Sequence, residues 1–231
     1  MGMGILTNAL VIAVGCFVGG RINKDKGKFS DFRVLGVAII IVSIVGFFEN
    51  IFSVEENYLS GTNMTVVLFA YMIGTKMGEL FHLEDFFSNL GKTDNARVNA
   101  VIDAFLYFGV GGMQICGPIE LALNGDNTQL FIKSAVDLPF ALVFGAAYGT
   151  AAALSSIPVA LIQAAIAVLA YISASLFSET AVSQICAMGY LILFFSGYNL
   201  ISNQKNRISN INMLPSLLLV LFFNIIKEFF V

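Results

Sequence analysis

The sequence of 231 residues contains no tryptophan, one histidine, three cysteines and few charged residues. Charged residues make up 12% of the chain, about half of the share that is usual in soluble domains, so the composition excludes an ordinary soluble domain. The single histidine, His82, excludes any site built on a histidine pair. The net charge of −3 is too small to indicate a nucleic-acid partner, and we expect none.

The three cysteines, Cys16, Cys116 and Cys186, each lie inside an apolar run and are far apart in the chain. None of them belongs to a Cys-x-x-Cys motif or stands at a zinc-ligand spacing from the histidine. We therefore interpret all three as small buried hydrophobic residues. The pattern supports neither a disulfide nor a metal site, and it indicates no cofactor.

Apolar residues, in contrast, make up 58% of the chain. A transmembrane helix needs about 20 mostly apolar residues, and the hydropathy pattern predicts about eight such spans. The first of them lacks a basic leader and a cleavage site, so we interpret it as a span and not as a removed signal peptide. The chain is predicted to be an all-α polytopic transmembrane helical bundle, one integral membrane domain over residues 1–231, surrounded by the lipid bilayer. The predicted spans are 3–20, 34–52, 64–81, 100–123, 135–154, 157–177, 185–202 and 213–230.

Two of the predicted spans are irregular. Glycines from Gly109 to Gly117, followed by Pro118, interrupt the fourth span. They favour either a broken helix that lines a site or a continuous helix with a glycine-rich packing face and a proline kink. A re-entrant fourth span would leave seven crossings. The fifth and sixth spans are separated only by Ser155, Ser156 and Pro158, which we expect to form a tight turn.

Basic residues are concentrated in the loops that follow odd-numbered spans. Nine lie there, against the single Lys133 in the loops after spans two, four and six. The positive-inside rule then places the odd-numbered loops in the cytoplasm, and eight crossings put both termini outside. The nine residues are Arg21, Lys24, Lys26, Lys28, Arg33, Lys92, Arg97, Lys205 and Arg207.

Pairs of glycines four residues apart recur along the chain, with Gly15 and Gly19 in the first span and Gly145 and Gly149 in the fifth. One explanation is a parallel four-span repeat with halves 1–123 and 124–231, an arrangement that transporters use. The alternative is ordinary helix packing, since small residues let membrane helices approach closely.

Polar residues within the predicted spans are the candidates for a substrate or ion site, because they are costly in lipid and usually face the bundle interior. Lys133 and Asp137 are four residues apart and share one helix face as the fifth span begins. We expect them to converge with Gln114 and Glu120 at the outer half of spans four and five. The candidate residues are Asn8, Asp103, Gln114, Gly117, Glu120, Lys133 and Asp137.

Some of these candidates also have a structural explanation. Asn8 suits an interhelical hydrogen bond, and Asp137 suits the N-terminal end of a helix, where a carboxylate complements the dipole. For Asp103 an interior-facing functional carboxylate is one of two interpretations.

Several short motifs in fixed order resemble the YqgA-like family of uncharacterised bacterial inner-membrane proteins. They are Gly4-Ile5-Leu6-Thr7-Asn8-Ala9, Cys116-Gly117-Pro118, Lys133-Ser134-x-x-Asp137 and Asn212-Met213-Leu214-Pro215, which together span nearly the whole chain. The resemblance implies a multi-pass protein of the bacterial cytoplasmic membrane and says little about the substrate. Where the family usually has a small-residue run ending in Asp-Gly, this chain has Glu120 and then Asn124-Gly125-Asp126.

The sequence favours a transporter of a small solute or cation that works by alternating access. Asp137 or Glu120 would hold a cation or proton, and the backbone of the broken fourth span would coordinate the substrate. An oligomeric cation-selective channel, with copies associated through glycine faces, is one alternative. A non-transporting membrane partner protein is the other. No catalytic motif is present, so we expect no enzyme.

Overall fold

The computed structural model describes residues 2–22, 33–55, 58–89, 93–109, 112–202 and 206–230. These residues form ten α-helices, several short 3-10 helices and one small hairpin. The helices are α1 (Met3–Ile22), α2 (Arg33–Ile51), α3 (Thr62–Leu80), α4 (Leu83–Asn89), α5 (Ala96–Gly109), α6 (Gly112–Asn124), α7 (Thr128–Tyr148), α8 (Ser156–Ile172), α9 (Glu179–Ile201) and α10 (Leu214–Phe230). Between α2 and α3, strands β1 (Ser53–Glu55) and β2 (Tyr58–Ser60) pair antiparallel.

Helices of membrane-spanning length dominate the described residues. Five stretches are long and apolar enough to cross a bilayer: α1, α2, α7, α9, and α8 together with the 3-10 helix before it. The number rises to seven if each of two bent pairs is one crossing, α3 with α4 (55°) and α5 with α6 (61°). The last apolar helix, α10, is shorter. The predicted class of helical transmembrane protein is confirmed, and the count of eight crossings stays a prediction.

The boundary between the fifth and sixth predicted spans lies earlier than expected. Helix α7 ends at Tyr148, and Gly149 adopts a φ of +85°, a left-handed conformation that glycine enters without strain. A 3-10 helix (Thr150–Ser155) then leads directly into α8. The predicted turn at Ser155, Ser156 and Pro158 was therefore wrong. Pro158 lies in the first turn of α8, where its missing N–H leaves no helical hydrogen bond unmade.

A three-residue connection at 125–127 joins α6 to α7. Gly125 has a φ of +70°. The next residue, Asp126, accepts hydrogen bonds at Oδ1 from the hydroxyl (2.7 Å) and the backbone N–H (2.9 Å) of Thr128. These bonds, the hydroxyl first, hold the pKa of Asp126 below its ordinary value because they favour the carboxylate. The two hydrogen bonds from Thr128 stabilise the start of α7 at neutral pH. They are lost when Asp126 becomes protonated, as the pH falls through its lowered pKa.

The described residues form two compact units, each assembled from separate stretches of chain. The first unit contains α1, α5, the C-terminal part of α6, α7 and α8. The second contains α2, α3, α4, the N-terminal part of α6, α9 and α10. Each unit draws on both predicted repeat halves, 1–123 and 124–231, and the repeat itself stays a prediction.

In the first unit, α1 and α7 pack side by side in parallel. Gly4 lies against Leu130 near their N-terminal ends, and Gly145 lies against Cys16 further along. A Cβ atom at Gly19 or Gly145 would overlap the backbone carbonyl of the facing helix. Three of the four recurring glycines, Gly15, Gly19 and Gly145, are therefore used for close helix packing, as one of the two interpretations predicted, whereas Gly149 lies in the connection after α7.

In the second unit, a disulfide joins Cys116 on α6 to Cys186 on α9, with 5.1 Å between the two Cα atoms. Gly112 and Gly189, one turn away, bring the two helices together. Our interpretation of all three cysteines as free hydrophobic residues was wrong for this pair and holds for Cys16, which is free and buried. The two cysteines are 70 residues apart, and only the antiparallel packing of α6 on α9 makes them neighbours.

Large apolar side chains stay exposed along the helices. On α1, Leu6, Leu10, Val14 and Phe17 follow one another at intervals of about one turn, and each is more than two-fifths exposed. Such a stripe is unfavourable in water and suits contact with lipid chains.

Adding a side chain at the contact of α1 and α7 should separate the helices. We expect Gly145→Val to lower the free energy of unfolding by about 1–3 kcal/mol, since its Cβ would overlap the Cys16 carbonyl. The control is Ala147→Val, which introduces valine on an exposed face of α7 and should change stability by less than about 0.5 kcal/mol. Thermal unfolding of the purified variants measures both, and equal losses would contradict the close contact.

Thiol counting tests the disulfide. Unfolded without reductant, the protein should react with a maleimide mass tag at one cysteine, and after reduction at all three. In the Cys16→Ser variant, no cysteine should be labelled without reductant, and two should be labelled after reduction. Reaction at all three cysteines without reductant would contradict the pairing.

Candidate functional site

A buried ion pair lies inside the first unit. On α7, Lys133 Nζ is 2.5 Å from Asp137 Oδ2, and each residue is only 6% exposed. The predicted pairing of these residues one turn apart is confirmed. Because each charge alone would cost about 2.5–3.5 kcal/mol in the middle of a membrane helix, neither is placed there without compensation.

Two amide side chains from other helices complete the surroundings of the carboxylate. Asn8 on α1 donates from Nδ2 to Asp137 Oδ2 at 2.8 Å. Gln163 on α8 donates from Nε2 to Asn8 Oδ1 at 2.9 Å. Both amides are fully buried. The expected interhelical hydrogen bond of Asn8 is thus present, and its acceptor is the charged residue.

The ammonium group has a second partner at the end of a broken helix. Lys133 Nζ donates to the backbone carbonyl of Phe108 at 3.2 Å. Helix α5 ends at Gly109, so this carbonyl lacks the N–H that a continuing helix would supply. A cation is also favourable at the negative end of the helix dipole. The fourth span is thus interrupted between α5 and α6, and a carbonyl at the interruption contacts Lys133. That this broken helix lines a substrate or ion site stays a prediction, and Val110 and Gly111 lie outside the described residues.

We call Asn8, Lys133, Asp137, Gln163 and the Phe108 carbonyl the polar cluster. Aromatic rings adjoin it on α5 and α7. Tyr107 packs against Phe140 and Phe144 with ring centroids 4.8 and 4.7 Å apart, and Phe108 lies 5.5 Å from Phe144. Rings at this position exclude water, which strengthens the electrostatic interactions inside the cluster.

The composition of the polar cluster limits its chemistry. It holds one negative and one positive charge, so it is neutral as a whole. It contains an exchangeable proton on Lys133 and a carboxylate that a small cation or a proton can occupy. Among the residues that the structure describes, no three histidine, cysteine, aspartate or glutamate side chains come together as a metal site. The arrangement suits binding and exchange of small ions.

The remaining candidates lie elsewhere. Asp103 is exposed on α5, Gln114 is buried in the second unit, and Gly117 packs against the Leu130 side chain. Glu120 accepts a hydrogen bond from Asn124 at 2.7 Å near the end of α6. Of the four residues expected to converge, Lys133 and Asp137 are joined by a hydrogen bond, and the convergence of Gln114 and Glu120 with them stays a prediction. The functional roles of all seven candidates stay predictions.

Sequence reasoning missed Gln163 and the Phe108 carbonyl. Gln163 is the one polar side chain between Ile157 and Leu169, and this isolation was a signal of the same kind that singled out Asn8. A backbone carbonyl leaves no residue-type signal.

A second chain of amides in the other unit was missed as well. Gln184 on α9 donates to Asn63 on α3 at 3.0 Å and accepts from Asn224 on α10 at 2.7 Å. These contacts are uncharged and tie three helices together, which suits a role in packing.

Comparisons with known proteins give the family and no activity. The family described as "Protein of unknown function (DUF554)" matches residues 3–225. "Uncharacterized membrane protein YdfK" of Bacillus subtilis (strain 168) is 24% identical over 219 residues, covering 94% of this chain and 93% of that protein. "Uncharacterized protein YqgA" of Escherichia coli (strain K12) is 23% identical over 237 residues, covering 96% of this chain and 95% of that protein. No solved structure matches the chain.

The polar cluster predicts a characteristic pattern of stability. Lys133→Met or Asp137→Leu alone should lower the free energy of unfolding by about 3–5 kcal/mol, because each leaves a buried charge without its partner. The double variant should regain most of that loss, since it removes both charges. Chemical unfolding of the three variants in detergent measures this, and a double variant less stable than both single ones would contradict a neutral, mutually compensated pair.

Proposed function

We propose that this chain, which belongs to the family of proteins of unknown function DUF554, is a membrane transporter of a small cation or solute. The observation that carries the proposal is the buried pair of Lys133 and Asp137, tied to two further helices by Asn8 and Gln163. A buried ion pair adds little stability compared with well-packed apolar residues. An ion pair inside membrane-spanning helices is therefore better explained by a functional role than by a role in helix packing.

We place the protein in the cytoplasmic membrane of a bacterium, with both termini outside. The arginines support this orientation, since they lie at one end of each unit. In the first unit, Arg21 lies over the Phe17 ring, and Arg97 lines the same cleft as Phe17. In the second unit, Arg33 begins α2 and Arg207 follows α9. The predicted cytoplasmic lysines Lys24, Lys26, Lys28, Lys92 and Lys205 lie outside the described residues.

The direction of the helices supports a complete fourth crossing. Because α1 and α7 run parallel, an odd number of crossings must lie between them. The intervening elements are α2, α3 and the bent pair of α5 and α6. If α2 and α3 each cross once, the bent pair must cross as well, because a re-entrant pair would leave α7 antiparallel to α1.

Charge balance indicates how the polar cluster would work. The Asp137 carboxylate now holds the Lys133 ammonium, and a transported cation or proton would take its place. A second positive charge in the buried cluster would be uncompensated and costly. We therefore infer that Lys133 releases its proton from Nζ to water as the cation binds Asp137, and regains a proton when the cation leaves. One cation is exchanged for one proton.

The burial of the whole polar cluster fits an occluded state of the proposed cycle. Towards the N-terminal end of α7, Leu130 is fully buried and lies against Gly4 and Gly117. Towards the other end lie the rings of Tyr107, Phe140 and Phe144. Alternating access requires that these two barriers open in turn. Asp137 is a better cation ligand than Glu120, which lies outside the cluster.

Transport is tested with proteoliposomes that contain a trapped pH-sensitive dye and face imposed gradients of NaCl, KCl or LiCl. Wild-type protein should move protons against at least one of these cations. Asp137→Asn, and the double variant Lys133→Met with Asp137→Leu, should lose this flux while the folded protein remains in the membrane. Asp103→Asn is the matched control, because it removes an exposed carboxylate outside the polar cluster, and it should keep the flux.

Three outcomes would overturn the proposal. Full flux in the folded double variant would show that Lys133 and Asp137 serve helix packing and are not needed for transport. Cation flux that is not coupled to protons would favour a channel, and no flux of any of the three cations in wild type would favour a non-transporting partner protein.

A further inference from the structure

The first unit contains a cleft that the proposed transport does not use. It has a volume of about 750 Å³ and lies where the end of α1, the start of α5 and the end of α7 meet the 3-10 helix (Thr150–Ser155). A volume of this size is in the range of sites that bind small organic ligands. Gly149, with its positive φ, turns the chain so that the 3-10 helix forms one wall.

The lining of the cleft combines one positive charge with apolar surface. Arg97 is its charged residue, Tyr148 and Thr150 contribute hydroxyl groups, and no acidic side chain takes part. Among the described residues, the Arg97 guanidinium has no ion pair, and the hydrogen bond of this residue is made by its backbone N–H to Asn95. A guanidinium with free donors beside two hydroxyl groups is suited to an oxyanion, above all a phosphate.

The apolar part of the cleft is open to its surroundings. Phe17, Val98 and Leu154 line it and remain 44%, 40% and 59% exposed. Arg21 stands over the ring of Phe17, 4.4 Å from its centroid, and adds a second cation at the rim. Both arginines lie at the end of the unit that we place at the cytoplasmic surface. The cleft thus offers cations at the level of the head groups and apolar side chains at the level of the acyl chains.

We propose that this cleft binds an anionic phospholipid of the cytoplasmic leaflet. The lipid phosphate lies against the Arg97 guanidinium and accepts hydrogen bonds from Tyr148 and Thr150, and an acyl chain follows Phe17, Val98 and Leu154. Basic pockets between membrane helices on the cytoplasmic side are suited to anionic head groups. The exposed apolar lining is what favours a lipid over a soluble phosphate compound, because a soluble ligand would leave that surface uncovered. This site is independent of the polar cluster.

The experiment uses the whole protein in detergent and adds three probes: phosphatidylglycerol, phosphatidylethanolamine and inorganic phosphate. Phosphatidylglycerol should raise the melting temperature in a saturable way, because a ligand that binds only the folded state stabilises it. The zwitterionic lipid and inorganic phosphate should not. Native mass spectrometry should count bound phosphatidylglycerol under the same conditions.

Two variants locate the site. Arg97→Gln should weaken the binding of phosphatidylglycerol about tenfold or more, as the loss of charge-assisted hydrogen bonds predicts. Ala153→Leu, which fills the cleft without changing its charge, should weaken binding as well. Arg207→Gln is the control, since it removes an exposed arginine in the second unit, and it should bind like wild type. Melting temperatures without added lipid show that each variant is folded.

The proposal is overturned if Arg97→Gln and Arg207→Gln weaken binding equally, because the lipid would then respond only to the basic surface. Equal stabilisation by inorganic phosphate would make the ligand a soluble anion. Equal stabilisation by phosphatidylethanolamine would remove the role of charge. None of these readouts measures ion flux, so failure here and failure of the transport proposal are distinguishable.

Discussion

The contact between α1 and α7 determines where the polar groups of the first unit lie. Two parallel helices touch backbone to backbone because Gly19 and Gly145 carry no Cβ atom at the points of closest approach. At this separation the short side chain of Asn8 reaches Asp137, and Gln163 reaches Asn8 from a third helix. With larger residues at the glycine positions, the carboxylate would lose its amide partner and the ion pair would be only partly satisfied.

The break after α5 provides the other half of the arrangement. A continuous helix would bond the Phe108 carbonyl internally and leave Lys133 with the carboxylate alone. Ending α5 at Gly109 frees that oxygen and presents the negative end of a helix dipole to the ammonium. Close helix packing and helix interruption, which look like opposite uses of glycine, therefore serve the same cluster.

Much of this site could be predicted from the sequence, because the free-energy cost of placing a polar side chain in the bilayer depends on the residue itself and on its depth. Lys133 and Asp137 followed from their spacing on one helix face, and Asn8 from its depth in an apolar span. Contacts between segments that are distant in sequence could not be predicted. The disulfide of Cys116 and Cys186 joins positions 70 residues apart.

The turn between α7 and α8 shows a different limit. Serines and a proline at 155–158 fit a turn by composition, but the conformation is decided at Gly149, whose left-handed φ only glycine adopts easily. Asp103 shows a third limit, since the sequence placed it in a span without giving the face on which it lies. Hydropathy gives depth in the bilayer, whereas side-chain direction depends on neighbours that are distant in sequence.

The pairing of Asn8 with Asp137 also bears on how the protein is made. The two residues are separated by 129 positions, and ribosomes add about 5–20 residues per second. The first helix therefore waits on the order of 6–26 s in the translocation machinery or the bilayer before its partner is synthesised. During that time its amide is without Asp137, in surroundings where an unmade hydrogen bond is expensive. The Asn8 amide therefore gains its carboxylate partner only after the fifth span has been inserted, and an insertase that shields polar side chains would be most useful in this interval.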